Sequence, residues 1–159
     1  MKFTDELVHV VALTAPIDTT TTVTANNSDV IGVKEYQAIQ FAVLFGVITG
    51  DSTVITVEEC DDTTPSNSTA IAFSYRKGSA VGTDSMGART AATTAGVTFT
   101  ASDDGKMLLI DVDPAELSDG YPYLRVVIDP GASMTAQVIA VLALLTPRYA
   151  QASQISAVD

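Results

Sequence analysis

The chain has 159 residues, a formal charge of −11 and 47% hydrophobic residues, which suits a single domain with a real core and excludes wholesale disorder. One Cys and one His exclude an intramolecular disulfide, a multi-thiolate metal site and any site needing two imidazoles. Eight Lys/Arg against nineteen Asp/Glu, with only Arg76 and Lys77 adjacent, leave no clustered cations to replace counterions. Nucleic acid and anionic membranes are therefore rejected as partners. Val, Ile and Thr are 49 of the 159 residues, and such β-branched side chains favour strands.

In chain order, Leu7–Leu13 reads as a first strand or an extended arm, followed by a polar stretch from Thr14 to Asn27 that reads as a surface loop or as an extended segment lying on a neighbouring subunit. No signal peptide is read at the N-terminus, because Asp5, Glu6 and His9 interrupt its apolar run. The longest apolar runs, Phe41–Ile48 and Val138–Leu145, fall short of a spanning helix. Val30–Val33 is a short strand and Tyr36–Ile48 a long one. After Gln40 both faces of that long strand are apolar, which predicts a central strand buried on both sides. Gly50-Asp51 predicts a tight hairpin turn into Thr53–Cys60. Asp61–Ser68 is a polar turn punctuated by Pro65, and Ala70–Lys77 returns as a strand. Residues 78–96, poor in large side chains, form a loop, and Val97–Thr100 an edge strand.

Lys106–Val112 is the next strand. Asp113 then caps a single helical turn that begins at Pro114. Tyr121–Ile128 and Ser133–Thr146 complete the strands, the last again apolar on both faces and stopped by Pro147. The prediction is an all-β, single-domain antiparallel β-sandwich or jelly-roll-like barrel with extended terminal arms. Its divisions are 1–13 (N-terminal arm or first strand), 14–147 (sandwich) and 148–159 (tail).

The chemistry of the side chains points away from catalysis. His9 sits inside an apolar strand pattern and reads as a half-buried strand residue rather than a general base. Cys60 is flanked by Glu58, Glu59, Asp61 and Asp62, whose charges raise a thiol's pKa and suppress the nucleophilic thiolate. Asp111, Asp113, Glu116 and Asp119 put four acids within nine residues, the kind of oxygen-rich loop that binds Ca²⁺. Their spacing is not that of an EF-hand and Pro114 restricts the loop, so turn and cap roles are the better reading. No phosphate-binding glycine loop is present. No catalytic, cofactor or metal residue is assigned and no enzyme activity is expected. The excess acid serves solubility for a chain with a mean hydropathy of +0.28.

Three segments carry a resemblance: Met1–His9, the stretch Val54–Ser66 continuing through Ala70–Arg76, and Tyr121–Val126 with Thr146–Tyr149. Together they resemble small virion structural proteins encoded near the major capsid gene of tailed bacteriophages. The resemblance implies a capsid decoration or cement protein on the outer surface of the head, made in the host cytoplasm. The implied partners are the phage major capsid protein and further copies of itself, a trimer being the first expectation. The segments Leu7–Leu13 and Arg148–Val158 are expected to serve as contact arms. The alternatives are a phage tail or head–tail connector protein, a carbohydrate-binding, adhesive β-sandwich, and last a weak hydrolase. With no Trp, only five tyrosines offer sugar-stacking faces.

Overall fold

A computed structural model describes residues 7–19, 25–149 and 156–158. Among them the chain forms twelve strands and two single 3-10 turns. The strands are β1 (His9–Asp18), β2 (Asn26–Asn27), β3 (Ile31–Gly32), β4 (Tyr36–Thr49), β5 (Thr53–Cys60), β6 (Ser68–Ile71), β7 (Phe73–Lys77), β8 (Thr90–Ala92), β9 (Val97–Phe99), β10 (Met107–Val112), β11 (Tyr123–Pro130) and β12 (Ala136–Pro147). All pairings are antiparallel. The first sheet has the order β1-β12-β4-β10-β7-β8. The second has the order β2-β11-β5-β6, with β3 on β11 and β9 on β5. The two open sheets make a β-sandwich, as the composition led one to expect.

Alternation explains how the core fills. Ile39, Phe41, Val43 and Phe45 of β4 point inward with Leu108 and Ile110 of β10 and Ile139, Val141, Ala143 and Leu145 of β12. They meet Ile55 and Val57 of β5 and Leu124, Val126 and Ile128 of β11. Each large side chain among them contributes about 1.5–3 kcal/mol on leaving water. Phe45 from the first sheet stacks on Phe99 from the second, with centroids 4.1 Å apart and planes within 10°.

Four expectations are corrected. The Gly50 turn makes no hairpin: β4 pairs with β12 and β10, whereas β5 pairs with β11, β6 and β9. The turn instead carries the chain across from one sheet to the other, with Gly50 at φ +102°. Ala70–Lys77 is likewise two strands: β6 lies in the second sheet and β7 in the first, with Ala72 between them. The polar stretch after Leu13 begins as strand, because β1 continues to Asp18 along β12 through two register shifts. The loop expected over residues 78–96 holds β8, which pairs with β7 at the edge of the first sheet.

Buried polar groups tie the sheets together. Gln137 of β12 accepts from the Thr19 hydroxyl at 2.7 Å and donates to the Thr53 hydroxyl at 2.5 Å. All three residues are buried. Asp103 accepts from Lys77 at 3.0 Å and Lys106 at 3.1 Å, and Lys77 lies 4.0 Å over the Phe99 ring. Burial pushes the Asp103 carboxyl up, but the two ammonium groups and the Thr100 amide outweigh it and hold the carboxyl below its usual range.

Candidate functional site

The side chains singled out for chemistry are engaged in structure. His9 is half-buried on β1, with Nδ1 2.8 Å from the Tyr36 hydroxyl. Desolvation lowers its pKa. Cys60 is fully buried and its thiol is pushed up to about 11. Burial is the main cause, Arg125 opposes it, and Glu58, Asp61 and Glu59 add smaller upward pushes. The flanking carboxylates thus act in the expected direction, but desolvation does more.

Two of the four acids considered for calcium have partners of their own. Asp111 accepts from Gln40 Nε2 at 2.7 Å and lies 3.9 Å from Arg89. Asp113 caps the Pro114–Glu116 turn by accepting from the Ala115 amide at 2.9 Å. Among the described residues no three His, Cys, Asp or Glu side chains, Glu116 and Asp119 included, gather as a metal would require.

The unexplained feature is a surface. β4 and β12 are the longest strands, run side by side, and contain no charged residue. Their inward side chains fill the core, but their other faces stay outside it. Ala42 and Leu44 of β4, Leu142 and Leu144 of β12, and Met107 and Leu109 of β10 take no part in the core cluster. Cross-strand register places them in rows. One row runs Ala12, Leu142, Ala42, Leu109 and Arg76. The next runs Val10, Leu144, Gln40 and Asp111. A third holds Ala140, Leu44 and Met107. At the far end the β4–β12 register shifts, so that Gly46 and Val47 lie against Val138.

The exposed large apolar side chains of this face are Val47 at 59%, Val138 at 46%, Val10 at 42% and Leu44 at 41%. Tyr36–Ile48 was expected to be buried on both sides after Gln40; among the described residues its outer side is covered only in part, with Ala42 buried and Leu44 41% exposed. Where Leu144 and Gln40 meet Asp111 and Arg89, the face dips into a furrow of ≈ 450 Å³.

The outer face of the second sheet differs. There Arg125 reaches Glu58 through Nε at 2.9 Å and Nη2 at 2.7 Å, and Nη2 also donates to Ser68. Thr56, Thr98 and Asp129 share this face, set opposite Val127 and Val54. A polar outer face of this kind is what a solvated sandwich sheet shows; the apolar one is the exception.

The expected contact arms fare unequally. Residues 9–13 belong to β1, and Leu13 is in the core. Arg148 is anchored by its amide to Glu35 O at 2.9 Å and by Nε to Tyr36 O at 3.0 Å. Ala157 O accepts from Gly32 N at 2.9 Å. Residues 1–6 and 150–155, which hold much of the resembling N-terminal segment and of the expected C-terminal arm, lie outside the described residues.

No protein-family model and no curated protein matches the chain. Among solved structures it is similar to the SPBc2 prophage-derived protein YomS, with 14% identity, 87% of this chain and 93% of that one covered, and a TM-score of 0.44. It is also similar to a chain of infectious bursal disease virus, Gx strain, with 9% identity, 89% and 42% covered, and a TM-score of 0.28.

Proposed function

We propose that the chain is a non-enzymatic structural part of a tailed-phage virion, a decoration protein that binds the outside of the head as a homo-oligomer. The observation that carries this reading is the apolar outer face of the first sheet. A chain with a charge of −11 has acid enough to solvate itself, yet it leaves its two longest strands uncharged and half uncovered. That is the surface of a part that assembles. The sequence resemblance to proteins encoded beside the major capsid gene supports the head as the place of assembly. The charge supports the outside, since packaged DNA repels an acidic protein. The side chains with reactive potential support a non-catalytic role: Cys60 is buried and protonated, and His9 is spent on Tyr36.

Cosedimentation with empty tailed-phage heads tests the reading. Saturable binding to intact heads is expected. Binding to tails alone would replace it with a tail or connector role, and binding to neither, with retention on a glycan array, with an adhesive one.

A further inference from the structure

We infer that the outer face of the first sheet is covered by the same face of a second copy of this chain, so that the assembling unit is a two-fold dimer packed sheet on sheet. This deepens the assembly reading above by naming the partner of the apolar face, and rests on that reading only in taking the face to be an interface.

Shape is the first argument. The central row alternates small and large across four strands: Ala12, Leu142, Ala42, Leu109. In the next row Ala140 stands beside Leu44, and two residues further along β4 is Gly46. Such a surface has leucine ridges and alanine or glycine hollows at one spacing, so the ridges of one copy fit the hollows of another. A self-complementary patch is what an isologous two-fold contact needs. Sheets stack face to face about 10 Å apart, and leucines interdigitating over alanines suit that distance.

Area is the second. Four strands about 4.8 Å apart and about nine residues long give a flat footprint of roughly 500 Å², before side-chain relief is added. That lies within the ~300–600 Å² of the largest patches on monomers, and with its rim it approaches the ~800 Å² per partner of a stable complex.

Charge is the third. Of nineteen acids, the paired strands of this face present Asp111 and, opposite Val138, Asp18. Arg76, in the row of Leu109, and Arg89, beside Asp111, balance them. The face is close to neutral on a molecule of −11. Two copies meeting here keep most of their like charge apart. A flat face meeting itself gives a two-fold, so a dimer takes the place of the trimer that the resemblance implies.

Sedimentation velocity on the full chain, over a wide concentration range and without capsids, tests this. The wild type should sediment as a dimer that dissociates on dilution. Leu142→Asp should weaken dimerisation roughly a hundredfold, as a charge buried without a partner does in an apolar interface. Leu44→Lys, at a side chain already 41% exposed, should do the same with an unchanged circular dichroism spectrum, and it decides the matter if the Leu142→Asp variant does not fold. Thr98→Asp on the second sheet should leave the dimer intact. A wild type that stays monomeric, a trimer, or a dimer indifferent to Leu44→Lys would overturn the inference. Each of those outcomes leaves capsid binding to be read separately, so the two proposals fail independently.

Discussion

Gln137 shows how one polar residue closes a β-sandwich. It sits at the start of β12, where its amide bridges the hydroxyls of Thr19 and Thr53, and so joins the chain after β1 to β5 of the opposite sheet. Gln137→Leu keeps the volume but strands two buried hydroxyls, each costly without a partner. A loss of about 1–3 kcal/mol in urea denaturation is expected, and an unchanged midpoint would mean that the bridge does not hold this end of the sandwich. Cys60 gives a second residue-scale test. A fully buried thiol with its pKa pushed up to about 11 should resist thiol reagents at neutral pH and react only at the rate of unfolding. Stoichiometric labelling of the native chain would contradict the burial.

At the scale of elements, the positions of β4, β5, β10 and β12 were legible in the sequence, because alternating or continuous apolar runs ended at Gly, Asp and Pro. Their partners were not. A turn signal such as Gly50-Asp51 states that the chain reverses, and says nothing of whether it returns in the same sheet; here it crosses the sandwich. The corner depends on Gly50, whose φ of +102° is costly for any other residue and whose missing Cβ leaves room for the Ser133 carbonyl. Gly50→Ala should cost about 1–3 kcal/mol, read as a lowered denaturation midpoint with the all-β circular dichroism spectrum retained. A neutral Gly50→Ala would mean that the corner has another conformation.

β4 and β12 mislead in a different way. Apolar residues on both faces of a strand are the mark of burial on both sides, and periodicity cannot say whether the second cover comes from the same chain. The acids at Asp111 and Asp113 pose the converse difficulty. Close in sequence, they take separate partners at the end of β10, one binding Gln40 and Arg89, the other capping a helical turn.

At the scale of the whole molecule, one sheet turns a polar face to solvent and the other an apolar one, and the account depends on that asymmetry marking an assembly surface. Because the native thiol is buried, a cysteine placed on the apolar face becomes the single reactive one. The most direct measurement is the maleimide labelling rate of Leu44→Cys as protein concentration rises, with Thr98→Cys as the reference on the polar sheet. Leu44→Cys should label freely when dilute and become protected as the chain assembles, while Thr98→Cys should label at one rate throughout. Equal, concentration-independent labelling at both positions, in a chain that nonetheless assembles, would contradict it.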